Sequence, residues 1–199
     1  MQNRLFDIIM PFITEINNWK IPISLLCILF LLYGLIIPMV RGASFVEAIR
    51  YALPIYKKGV IVLILTIIGV TFSDFLNENI LKPLFKRMRP CNVLQDIHML
   101  ASCTNSFSLP SAHAVNIFTT ATMISYEYRR IAPYLFFFAF AISYSRVYVG
   151  VHYPFDVILG AVVGIICGAI ILLLKERIIS RIWKRWPKRP QKNEIWKTI

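Results

Sequence analysis

Ile21 to Val40 is an uncharged apolar run about as long as the roughly 20 residues a helix needs to cross the hydrocarbon core of a bilayer. Four more apolar segments follow it. Gly59 to Phe72 is the second, and its helix is expected to continue through the polar stretch Ser73 to Asn79 towards Lys82. The others run roughly Pro110 to Tyr126, Ile131 to Tyr144 and Phe155 to Leu174. Few soluble architectures can accommodate such a pattern. The expected fold is all-α, a polytopic membrane bundle of about five transmembrane helices in one domain over residues 1–199. A hydrophobic content of 57% and a mean hydropathy of +0.63 agree, being too apolar for an ordinary soluble chain.

The polar segments set the orientation. The net charge of +12 sits mostly at the ends of apolar runs, a pattern that suits membrane orientation and anionic lipid better than nucleic acid. Residues 1–20 recur in apolar character at helical spacing but are too polar to span, so an interfacial helix anchored by Trp19 and Lys20 is expected. The N-terminus lacks the pattern of a secretory signal peptide, and the first span is read as retained. Arg41 to Lys58 reads as a short basic loop. Residues 175–199 hold nine Lys or Arg against two Glu, with Trp183, Trp186 and Trp196 interleaved, and read as a basic cytoplasmic tail. With five spans, that tail and the Arg129-Arg130 turn fall on one side of the membrane, and the loop from Phe85 to Leu109 on the other. Cys91 and Cys103 in that loop are then expected to form a disulfide in an oxidising compartment. Cys27 and Cys167 lie inside apolar runs and read as small buried hydrophobes. No CxxC or closely spaced His set points to zinc.

Chemistry concentrates in Ser145 to Asp156, SRVYVGVHYPFD, at the mouth of the last apolar run. Ionisable groups are costly in lipid, so Arg146, His152 and Asp156 at this boundary mark a functional site. If the helix starts near Pro154, His152 and Asp156 lie one turn apart, where the carboxylate can orient the ring. Two other stretches join them: Lys82, six residues, then Arg89-Pro90, and Pro110-Ser111-Ala112-His113.

In that order, K-x6-RP, PSAH and SR-x5-H-x3-D resemble the type 2 phosphatidic acid phosphatase family, over roughly Lys82 to Asp156. All three motifs fall on the non-cytoplasmic side of the layout above. The resemblance implies a metal-independent lipid phosphatase that needs no cofactor, and no two-metal carboxylate cluster is visible in the sequence. It implies that His152 attacks phosphorus to form a phosphohistidine, that Asp156 holds its other nitrogen, and that His113 protonates the leaving oxygen. Lys82, Arg89 and Arg146 would supply positive charge to the phosphate, and Ser111 with the backbone N–H groups at Ala112 neutral donors. Where the family commonly has glycine, Ala112 keeps the N–H but disfavours positive φ, so this turn is expected to be helical or extended.

The candidate substrates implied are lipid A 1-phosphate, undecaprenyl diphosphate, phosphatidylglycerophosphate and phosphatidic acid, with a lean to lipid A from the extra cations beside the first motif. Active-site placement on the periplasmic face of a bacterial inner membrane follows from the layout. A lipid-to-lipid phosphotransferase with the same site and a non-enzymatic transporter or scaffold are the alternatives; a nucleic-acid binder does not fit five apolar runs. Asp74 is read as pairing with a basic group or as a solvated helix end. His98 is read as solvated, and Lys86 and Arg87 as contacting a second phosphate, a sugar or lipid head groups. Tyr144, Tyr148 and Tyr153 are read as packing residues.

Overall fold

The structure, a computed structural model, describes residues 3–95 and 98–185, and among these there is no strand. The tail beyond residue 185, with Trp186 and Trp196, lies outside the described residues, as does the side chain of Cys27. Helix α1 (Arg4–Thr14) is followed by a 3-10 turn (Ile16–Trp19) and α2 (Lys20–Val40). Helix α3 (Phe45–Leu76) passes through a π segment (Asn77–Leu81) into the short α4 (Lys82–Phe85). A loop carrying α5 (Pro90–Val93) leads to α6 (Ala112–Glu127), then α7 (Ala132–Tyr148) and α8 (Pro154–Arg185).

Helices occupy all five expected segments. Among the described residues three stretches, Phe45–Val93, Arg129–Tyr148 and Pro154–Ile178, are long and apolar enough to cross a membrane. Their outer faces bear exposed Ile64, Ile68, Phe137, Phe140, Ile158 and Ile166, apolar surface that suits lipid and not water. Helix α6 is only 16 residues long and carries Thr119, Thr120 and Thr122, whose hydroxyls bond back to its own carbonyls. It packs against α3, α7 and α8 and forms the centre of the bundle.

The closest contact is between α6 and α8. A Cβ added at Gly160 would lie 2.8 Å from Ser111 O and 2.9 Å from Ala114 Cβ, and Gly164 and Gly168 repeat the approach one and two turns later. Small residues at this spacing let helix backbones meet in a membrane. Thr119 Oγ1 donates to Gly164 O at 3.1 Å across the seam. This contact fixes where α8 begins relative to where α6 begins, and both ends carry motif residues.

Two boundaries differ from expectation. The basic stretch Arg41 to Lys58 is not a loop: α3 starts at Phe45 because Ser44 and Glu47 form a capping box, each side chain bonding the other's backbone N–H. The start of the expected tail is helix as well, since α8 runs on to Arg185. There Lys175 pairs with Glu127, which also holds Lys58 at 3.3 Å, tying α3, α6 and α8 together at the end of the bundle away from the motifs.

Helix α1 is capped by Asn3 Oδ1, which accepts from Leu5 N at 3.0 Å. It does more than lie on a surface. Leu5, Ile8 and Phe12 stay exposed, but Met10 packs with Val149 and Val151 in the α7–α8 connection. Tyr148 Oη donates to Asp7 Oδ1 at 2.8 Å, and the Phe6 and Tyr148 rings meet edge to face.

Candidate active site

At the motif end of the bundle the buried residues turn polar: Lys82, Arg89, Ser108, Ser111, His152 and Asp156 are all buried. Buried polar groups need partners, and here they find one another across distant parts of the chain.

The π segment and α4 deliver the first motif. Lys82 is buried and its Nζ is 2.5 Å from Glu78 Oε1, one turn earlier. Lys86, at φ 47, closes α4 in the left-handed region and turns the chain so that Arg87 and Arg89 run along the third motif. Arg87 Nη1 binds Asp156 Oδ1 at 2.9 Å, and its guanidinium stacks on the Tyr153 ring at 4.0 Å. It is a clamp on the third motif, a role not read from the sequence. Arg89 is held by Ser106 O (2.9 Å), Ser106 Oγ (2.8 Å) and Val151 O (3.4 Å), and its Nη1 lies 3.2 Å from His152 Nε2.

Asp156 is fully buried and saturated with donors. Besides Arg87, its Oδ2 accepts from Tyr153 N at 2.9 Å and from the Ser108 hydroxyl. His152 Nδ1 is 3.5 Å from the same oxygen and 3.2 Å from Ser108 Oγ, so the hydroxyl stands between ring and carboxylate. Burial is the main influence on His152 and lowers its pKa from the ordinary 6.5; Arg89 and Arg146 add to that, and Asp156 opposes it. The ring is therefore neutral at pH 7, with Nε2 as its outward nitrogen. Ser108 carries no motif signal in the sequence; its role shows only because Ser108 N bonds Arg87 O at 2.7 Å and brings the 106–108 segment alongside.

The second motif is tied to the third through the backbone, Ser111 N donating to Asp156 O at 3.0 Å. Ser111 is the N-cap of α6 but its hydroxyl makes no cap bond, and that buried oxygen has no hydrogen-bond partner among the described residues. Ala112 is the first helical residue of α6 and does not have positive φ, so glycine is not required at this position. His113, in the first turn, opens onto a cavity of about 490 Å³, and Arg146 lines it too. His113 is close enough to Arg146, His152, Arg89 and Lys82 to interact with each electrostatically. Arg146 donates from Nη1 to Thr14 Oγ1 at 2.7 Å, while its buried Nε is unpartnered among the described residues. Its carbonyl accepts from Val151 N and His152 N at 3.3 Å each, which folds the five-residue spacer of the third motif back over α7.

The residues outside the motifs also resolve. Cys91 and Cys103 are joined by a disulfide that closes the loop beside Arg89, and Cys167 is buried. His98 is not merely solvated: its Nε2 is 3.2 Å from Asp7 Oδ1 on α1. Asp74 accepts from Asn116 Nδ2 of α6 at 2.9 Å, an amide partner not read from the sequence. Among the described residues no cluster of three or more His, Cys, Asp or Glu side chains is arranged to hold a metal.

Several proteins resemble this chain in sequence or in fold. It is 31% identical over 125 residues to a lipid A 4'-phosphatase of Bacteroides thetaiotaomicron, a stretch covering 59% of this chain and 56% of that protein. It is 33% identical over 111 residues to an undecaprenyl-diphosphatase of Sulfolobus acidocaldarius, covering 54% of this chain and 50% of that one. The chain thus spans about half the length of the curated relatives it matches. The crystal structure of Aquifex aeolicus LpxE superposes with a TM-score of 0.58 at 31% identity, covering 86% of this chain and 87% of that one. Residues 59–180, most of the chain and all of the three-motif cluster, match the model of the PAP2 superfamily, and the chain belongs to that superfamily.

Proposed function

We propose that this membrane protein is a lipid phosphatase that cleaves a phosphomonoester or diphosphate from a lipid head group through a phosphohistidine on His152. The observation that carries the reading is the environment of that ring. Nδ1 is tied to Ser108 and Asp156, which leaves Nε2 as the acceptor nitrogen, within hydrogen-bond reach of Arg89, a cation able to draw a phosphoryl group to it.

In the reaction, Nε2 attacks phosphorus and the bond from phosphorus to the lipid oxygen breaks, with His113 giving a proton to that oxygen. Asp156 and Ser108 stabilise the positive charge gained by the ring. His113 then takes a proton from water, whose oxygen attacks phosphorus, breaks the P–Nε2 bond and frees inorganic phosphate. Arg89, Arg146 and Lys82, with the Ser111 hydroxyl and the first N–H groups of α6, hold the phosphoryl oxygens. The unpartnered Ser111 Oγ and Arg146 Nε support this role, because buried donors without partners are costly unless a ligand uses them.

The name of the Bacteroides relative, a lipid A 4'-phosphatase, favours a lipid A phosphate among the candidate substrates. The distribution of basic residues supports a site on the periplasmic face of a bacterial inner membrane, with the C-terminus in the cytoplasm. Phosphate release in detergent with chelator present, from lipid A, undecaprenyl diphosphate, phosphatidylglycerophosphate and phosphatidic acid, tests the reading beside His152→Ala and His113→Ala. Release that both substitutions abolish is the expected result. Undiminished release by His152→Ala overturns the mechanism, and no release from any lipid by folded wild type overturns the function.

A further inference from the structure

The cavity reached by His113 and Arg146 is far larger than a phosphate needs; about 490 Å³ is a volume that holds a small-molecule head group. Its walls come from two places. One is the end of α1 and the turn after it, with Phe12, Thr14, Glu15 and Asn18; the other is the 100–104 segment, with Ser102 and Thr104. Neither the α1 residues nor the turn after them belong to the stretch matched by the superfamily, which begins at residue 59. The cavity lining carries both signs of charge. Arg146 and His113 line it, and so does the carboxylate of Glu15, next to Thr14 and near enough to Arg146 to act on it electrostatically.

Glu15 is there for a local reason. It is the N-cap of the Ile16–Trp19 turn, and its Oε1 accepts from Asn17 N at 3.3 Å and Asn17 Nδ2 at 2.8 Å. Asn18 Nδ2 donates to Phe12 O at 3.0 Å and closes the same turn onto α1. The Arg146–Thr14 bond and the Tyr148–Asp7 bond fasten α1 to α7, so this wall is held beside Arg146.

We infer that α1 and the 100–104 segment form a head-group subsite for an uncharged, hydroxyl-bearing group next to the scissile phosphate. The inference rests on the phosphatase reading above. Glu15 accepts hydrogen bonds from hydroxyls of that group, Ser102 and Thr104 line the same cavity and offer their hydroxyls, and the Glu15 charge repels a second phosphate at this position. A sugar and a glycerol share this chemistry; a diphosphate and a bare diacylglycerol phosphate do not.

The test is the ratio of kcat/KM values across four substrates, using the full chain in detergent: lipid A for a sugar, phosphatidylglycerophosphate for a glycerol, undecaprenyl diphosphate for a second phosphate, and phosphatidic acid for neither. Glu15→Gln keeps an acceptor for Asn17 and removes only the charge. It is expected to lower the preference for the hydroxyl-bearing substrates over the diphosphate by roughly three- to tenfold, the scale of one partly solvated charge contact. Ser102→Ala is expected to lower their preference over phosphatidic acid severalfold. A shift seen with lipid A alone assigns the subsite to a sugar, and one seen with phosphatidylglycerophosphate alone assigns it to glycerol. If wild type releases phosphate but both variants leave every ratio unchanged, the subsite is refuted while the phosphatase reading stands. Should wild type release none from any lipid, the functional reading falls and the subsite with it.

Discussion

Arg89 Nη1 lies 3.2 Å from His152 Nε2 and donates to Val151 O at 3.4 Å, while Nε and Nη2 of the same guanidinium are fastened to Ser106. The cation that would bind a phosphoryl oxygen is therefore fixed beside the nitrogen that would attack phosphorus. Lysine keeps the charge but has no planar fork to hold Ser106 O, Ser106 Oγ and the phosphate together. Arg89→Lys is expected to lower kcat/KM for phosphate release by about a hundredfold, the loss of one to two charge-assisted hydrogen bonds. Initial rates decide it: activity within twofold of wild type would contradict this placement of Arg89.

Ser108 stands between His152 Nδ1 and Asp156 Oδ2, bonded to both. It is a positioning residue, acting through the ring. Ser108→Ala is expected to reduce kcat about tenfold with little change in KM, since it loosens the ring without touching the substrate. Ser108→Thr retains the hydroxyl and should recover most of the rate. Equal losses in both variants would mean that the pocket had lost its packing and not its hydrogen bond.

The acid side of the pH profile follows from His152. Burial lowers its pKa from 6.5, so the folded protein takes up this proton at lower pH than the unfolded chain does. Between those two values the unfolded state holds more protons, and stability declines as pH falls from about 6.5 through the folded value. The ring also stays neutral and nucleophilic into that range. The acid limb of kcat/KM is expected to have its midpoint below 6.5, and His152→Asn should flatten the matching part of the stability curve. A midpoint at or above 6.5, or an unchanged stability curve, would go against it.

Gly160 is where α8 meets the N-terminus of α6. A methyl group there falls 2.8 Å from the Ser111 carbonyl, so the helices must part or Ser111 must move. Gly160→Ala is expected to cost about 1–3 kcal/mol, as overpacking of a close contact does, and to reduce phosphate release because Ser111 is displaced. Thermal unfolding in detergent measures the first effect and rate assays the second. A variant as stable and as active as wild type would show that this seam has slack.

Much of the molecule could be read from its residues. Apolar run length predicts membrane helices because an unpaired backbone is not tolerated in lipid. The motif spacings also work over short range: His152 and Asp156 are one turn apart, and Arg146 is tied to His152 by a backbone bond across five residues. The misread stretch from Arg41 to Lys58 had its helix signal in plain view, Ser44 and Glu47 in a capping box, but positive charge outweighed it. The glycines at 160, 164 and 168 gained their meaning only from the structure, which packs α6 against them.

What the sequence by itself determined is an all-helical membrane chain with three polar motifs, because periodicity and spacing act within one or two turns. Tertiary structure alone decided the partners that lie far along the chain. Arg87 reaches Asp156 across 69 residues, Ser108 reaches His152 across 44, and Arg146 reaches Thr14 across 132. These bonds exist because α6, packed closely on α8, brings one polar end of each helix into a single buried layer, where every donor must find an acceptor. Nothing in a linear pattern states which buried groups will share that layer.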